Sequence, residues 1–189
     1  METLKLEAVV HSARLGDSQA LGELHRWFAG RVLGLCRHML GSREDAEDAC
    51  SDVFVRLPLG IASYNGSVPF ERWLFSVAGH HCIDRIRRRR REQHWIEERD
   101  AEQLPVGIAA TSPLNDLIKQ ERGDAVRRAI AELPEKYRIP LALRYYGELS
   151  YDEISEQLGL ERNHVATLIF RAKQELRQAL SELRGEHTS

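Results

Sequence analysis

Apolar residues recur at intervals of three and four along most of this 189-residue chain, and that spacing predicts helices. Leu21, Leu24, Trp27, Phe28, Val32, Leu35 and Met39 line one helix, which Gly41 stops. Ser42 caps the next, Arg43 to about Leu57, with Ala46, Cys50, Val53 and Leu57 on one side and Asp45, Asp48, Asp52 and Arg56 on another. Pro58 is expected to end it. Asn-Gly and Pro make Tyr64 to Pro69 a loop, and a helix resumes at Phe70 with Trp73, Leu74, Val77, Ala78 and Ile83 on its apolar side. No stretch alternates in the manner of a strand, so the architecture is all-α.

Between Glu92 and Asn115 the periodicity fades into a linker, acidic at Glu97, Glu98, Asp100 and Glu102 and rich in small residues afterwards. Helical patterning returns at Asp116. The segment Ala125 to Leu133 ends at Pro134, which suits the first turn of the following helix, and Pro140 farther on is expected to kink that helix. Ser150 and Glu153 form a capping-box pattern, Ile154 and Leu158 are spaced for a buried face, and Gly159 permits a sharp turn. A second helix, about Arg162 to Leu180, buries Val165, Ile169 and Leu176 and holds Arg162, Asn163, His164 and Thr167 near its start. The pair reads as a helix-turn-helix or as a plain helical hairpin.

Charge changes the picture locally. The formal net charge is only −2, yet Arg72, Arg85 and Arg87 to Arg91 crowd one segment whose acids are Glu71 and Asp84. Such a run suits a polyanion through counterion release, or is a solvated basic face. No apolar run is long enough to span a membrane and no secretory signal is recognisable, so we expect a cytoplasmic protein without direct membrane insertion. Cys36, Cys50 and Cys82 lack close spacing and read as reduced thiols.

Two sets of motifs resemble the bacterial sigma-70 family, specifically its extracytoplasmic-function group. Asp45-Ala46-Glu47-Asp48-Ala49-Cys50-Ser51-Asp52-Val53-Phe54-Val55-Arg56 is similar to the polymerase-binding helix of sigma region 2. Pro69-Phe70-Glu71-Arg72-Trp73-Leu74-Phe75-Ser76-Val77-Ala78, with Asp84 and the arginines, resembles its promoter-melting and minus-10 part. Leu133-Pro134-Glu135-Lys136-Tyr137-Arg138, Leu143-Arg144-Tyr145-Tyr146 and Leu149-Ser150-Tyr151-Asp152-Glu153-Ile154 look like region 4, the minus-35 reader.

The resemblance implies two small helical domains, residues 1–92 and 116–189, joined by a flexible linker over 93–115. It also implies core RNA polymerase, promoter DNA and an anti-sigma factor as partners. Asp45, Asp48, Ser51, Asp52 and Arg56 would meet polymerase. Tyr64, Asn65, His80, Arg85, Arg87, Arg88, Arg89, Arg90 and Arg91 would serve the minus-10 element, with the loop holding a flipped base. Arg162, Asn163, His164, Thr167, Arg171 and Lys173 would face the minus-35 element. Phe54, Leu57 and Trp73 read as core.

Departures from the family pattern weaken parts of this picture. Ala78-Gly79-His80 stands where the pattern reads Ala-Arg-Asn, and Ser51 where it often has Gln. Ala166 and Leu168 occupy positions that are commonly basic, which predicts a salt slope for minus-35 binding shallower by about 0.9 per lost phosphate contact. Leu168 could instead meet a thymine methyl or a protein partner. His38, Cys36, His80, His81 and Cys82 raise the question of a metal, but adjacent helix positions diverge and no spacing closes a tetrahedral site, so neither metal nor cofactor is expected. No phosphate loop or nucleophile-base set recommends an enzyme. Alternatives to a sigma factor are a simple helix-turn-helix regulator and a sigma-like interaction protein with weak DNA binding.

Overall fold

The computed structural model describes residues 3–94 and 124–186. The acidic linker segment and the start of the pattern at Asp116 lie outside them. Regular structure among the described residues is helical: α1 (Thr3–Arg14), α2 (Ser18–Leu40), α3 (Arg43–Gly60), α4 (Phe70–His94), α5 (Asp124–Glu132), α6 (Glu135–Tyr145), α7 (Tyr151–Leu158) and α8 (Arg162–Glu186), with a 3-10 turn at Ile61–Ser63. Contacts divide the fold into two compact units, one built on α1 to α3 and α4 through Ile86, the other on the end of α4 from Arg87 and on α5 to α8.

In the first unit, local chemistry sets the helix ends. The Asp17 carboxylate accepts from the Gln19 and Ala20 N–H groups at 2.8 and 3.4 Å, starting α2. Gly41 closes it at φ 76°, donating to Arg37 O at 3.0 Å, and Ser42 Oγ accepts the Asp45 N–H at 3.3 Å. Leu24, Phe28, Val32, Leu35 and Met39 are buried as their spacing predicts, while Leu21 and Trp27 are half-buried. The helix α1 ahead of them escaped the periodicity argument.

Pro58 does not end α3, which runs on to Gly60. Proline removes one N–H, but Leu57 and Ile61 are buried on either side and the Ile61 N–H still donates to Leu57 O. Packing outweighs one lost hydrogen bond. On α4 the inward stripe is Phe70, Leu74, Phe75, Ala78, Cys82, Ile83 and Ile86. Val77 is 37% exposed, contrary to expectation, because it lies just past the edge of the stripe on the Phe70 side.

In the second unit, the Pro134 carbonyl accepts from Tyr137 and Arg138 N–H, both at 2.9 Å, at the start of α6. That helix runs through the buried Pro140 and is buried from Tyr137 to Leu143. Arg138 ties it to α5 by donating to Ala131 O at 3.0 Å. The capping box is present in full: Glu153 N–H to Ser150 Oγ at 3.3 Å, and Ser150 N–H to the Glu153 carboxylate at 2.7 Å. Gly159 adopts φ 68°, a left-handed turn that suits glycine, and α8 follows. Val165, Ile169 and Leu176 are buried as predicted.

Candidate functional site

The acidic side of α3 carries Asp45, Asp48 and Asp52, with Ser51 and Arg56 exposed beside them. Sequence reasoning passed over Val55 and Leu59, which are also exposed on this helix. Their only sequence signal is an apolar residue outside the buried stripe. Arg85 of α4 reaches all three acids, at 3.5 Å from Asp45, 3.8 Å from Asp48 and 3.4 Å from Asp52. One turn earlier, His81 Nε2 stands 3.3 Å from Asp52 Oδ2 but is buried without an aligned hydrogen bond. Burial sets the His81 imidazole below its ordinary pKa; Asp52 opposes this, and Arg56 and Arg85 reinforce it. Phe54 is half-buried, edge-on to His25 at 4.7 Å, rather than core.

The loop before α4 is organised around Tyr64. Its hydroxyl donates to Val68 O at 2.7 Å, and its ring lies 5.5 Å from both Phe70 and Trp73. Trp73 is half-buried in this aromatic group rather than fully core. The Asn65 side chain accepts the Ser67 N–H at 2.9 Å, an Asx turn that leaves Asn65 exposed. On α4, His80 is exposed with Nδ1 2.9 Å from Ser76 O, whereas Gly79 is buried. Arg87 to Arg91 are all exposed near the end of α4.

At the second unit's helix-turn-helix, Arg162 and Asn163 are exposed and His164 and Arg171 half-buried. Arg162 Nε donates to Asp152 at 2.9 Å, and the Arg162 and Arg144 guanidinium carbons lie 5.9 and 5.7 Å from the Tyr151 ring. Arg144 and Tyr151 stood in the quoted motifs without a role; their meeting across turns has no local sequence signal.

Three residues of α8 lie deeper than their expected roles suggest. Thr167 is buried, its hydroxyl donating to Asn163 O at 2.9 Å. Lys173 is buried too, with Nζ 5.3 Å over the Tyr145 ring. Leu168, three residues after Val165 and beside Ile169, is only 5% exposed and belongs to the core instead of a thymine or partner contact. Ala166, by contrast, is half-buried.

Among the described residues no group of three or more histidine, cysteine or acidic side chains is arranged to hold a metal ion. No described helix is long and apolar enough to cross a membrane.

Comparison with known proteins matches residues 24–92 to sigma-70 region 2 and residues 123–176 to sigma-70 region 4. The chain is 30% identical over 179 residues to the ECF RNA polymerase sigma factor SigW of Bacillus subtilis, covering 92% of this chain and 96% of that protein. It is 28% identical to the ECF RNA polymerase sigma-E factor of Haemophilus influenzae, covering 96% and 98%. The fold is shared with the sigma factor RpoE of Bartonella quintana, solved with the anti-sigma factor NepR, at TM-score 0.60 and 16% identity over 85% of this chain and 96% of that one. CnrH, solved with the cytosolic domain of CnrY, gives TM-score 0.57 at 21% identity over 93% and 96%.

The chain belongs to the sigma-70 family, in its extracytoplasmic-function group. It is an RNA polymerase sigma factor, a non-catalytic protein that directs polymerase to promoters.

Proposed function

We propose that the α3 face of Asp45, Asp48, Ser51, Asp52 and Arg56 binds core RNA polymerase, extended by the exposed Val55 and Leu59. The carrying observation is that strip itself: α3 buries its opposite side and turns acidic and apolar residues outward together, a mixture suited to a protein partner. Residues 1–92 form the minus-10 domain and 116–189 the minus-35 domain, joined by 93–115. The Tyr64–Asn65 loop receives a base drawn out of the stack, beside the Phe70 and Trp73 rings. His80, Arg85 and Arg87 to Arg91 hold the opened DNA, the arginines through phosphates and therefore without reading sequence.

At the minus-35 element, Arg162, Asn163, His164 and Arg171 make the direct contacts, while Thr167 and Lys173 act from behind the surface. An anti-sigma factor masks one or both domains, and the protein works in the cytoplasm with its polymerase. Reconstituted transcription with purified core polymerase tests the assignment. Promoter-dependent initiation that falls at least tenfold with Asp48→Lys supports it. Promoter binding without core would favour a simple regulator, and core binding without initiation a titrating protein.

A further inference from the structure

Arg85 lies on α4 within reach of three carboxylates on α3, and nothing in the periodicity of either helix foretells this. Asp45, Asp48 and Asp52 follow one another at intervals of three and four on α3, so they share a side of that helix. A single guanidinium serves all of them, at 3.5, 3.8 and 3.4 Å. Those distances exceed the 2.7–2.9 Å of a strong charge-assisted hydrogen bond, so the cation is divided among three acceptors and held tightly by none. The arrangement is also partly wet: the Arg85 side chain is 29% exposed and that of Asp48 66%. Loose, hydrated ion pairs are exchanged for better ones with little loss.

We propose that Arg85 is a built-in competitor for the polymerase-binding carboxylates, occupying them in the free chain and displaced when basic groups of the polymerase take its place. The inference rests on the assignment of the α3 face to polymerase. It changes the role of Arg85 from a DNA contact alone to a residue that sets the affinity for the enzyme. Three carboxylates against the guanidiniums of Arg85 and the exposed Arg56 leave net negative charge, so the face still attracts a basic partner while its field is weakened. His81 adds little positive charge at neutral pH, since burial favours its neutral form. Displacement also frees a cation on the helix that carries Arg87 to Arg91, which links polymerase binding to DNA grip.

The test measures binding of the full-length chain to core polymerase at low and high salt for wild type, Arg85→Gln, Arg85→Lys and Asp48→Asn. Removing the competitor is expected to tighten binding about threefold to tenfold at low salt, mainly through faster association, with the gain shrinking at high salt. Arg85→Lys, which keeps the charge but not the three-way fork, is expected to fall between, and it serves if the Gln variant unfolds in a circular-dichroism melt. Weaker binding by Asp48→Asn, with no tightening in either Arg85 variant, overturns the competitor while sparing the polymerase face. Unchanged binding by Asp48→Asn and both Arg85 variants overturns both.

Discussion

The Sγ atoms of Cys36 and Cys82 lie 3.6 Å apart between α2 and α4, both fully buried. The thiol contact with Cys82, then burial, pushes the Cys36 pKa far up, and burial with Cys36 nearby pushes Cys50 up to about 11. Burial shields all three cysteines, and the raised pKa of Cys36 and Cys50 keeps those two as unreactive thiols, so all three should be silent toward an aromatic disulfide reagent at pH 7.5 in the native protein. In denaturant three equivalents should react at once. Rapid native labelling would show that the first unit opens readily.

Positions 166 and 168 separate a surface from a core. Leu168→Lys forces a charge into a site only 5% exposed and should destabilise the second unit by about 2–5 kcal/mol in urea unfolding. Ala166→Lys should change stability by less than about 0.5 kcal/mol. It should also steepen the salt dependence of promoter binding by about 0.9 in the log-log slope, as one added phosphate contact does. Since Leu168 is core, only position 166 offers room to restore a missing contact.

The helix-turn-helix depends on its two ends. Ser150→Ala removes the acceptor for the Glu153 N–H and should lower stability by about 1 kcal/mol. Gly159→Ala should cost about 1 kcal/mol as well, entirely from the backbone, because φ is +68° and an added Cβ meets nothing within 4 Å. Gly159→Asn, which tolerates that conformation better, should lose less. Thermal melts of the three variants order them.

Acid should weaken the first unit through His81. Its folded pKa lies below the ordinary value of 6.5, so below that pH the unfolded chain binds the proton more readily than the folded one. Stability is therefore full above about pH 6.5 and falls as pH drops through the unfolded pKa toward the folded one. His81→Gln should flatten the part of the melting-temperature profile between pH 7 and pH 5.5 that this residue causes. An unaltered slope in the variant would assign it to other groups.

Much of the fold was legible because its signals are local. Gly41, Ser42, the Ser150–Glu153 box and Gly159 act within one turn of where they stand, and each does in the structure what its chemistry predicts. The exceptions occur where burial overrules a local rule. Pro58 stays helical between buried neighbours, and α1 has polar residues on most sides.

Site residues were less legible, since a side chain's exposure depends on what the rest of the chain puts against it. Asp45, Asp48 and Asp52 could be placed on one side of α3 from spacing alone, and Arg162 and Asn163 at the start of α8. That Arg85 meets the acids, that Leu168, Thr167 and Lys173 turn inward, and that two arginines flank Tyr151 are matters of contact between separate helices. The sequence alone determined helical periods, caps, the order of the two sigma regions and where charge is concentrated, because these depend on residues within a few positions of one another. Tertiary structure alone decided which charges face solvent and which are already engaged, because burial and ion pairing depend on distances between segments that no local spacing encodes.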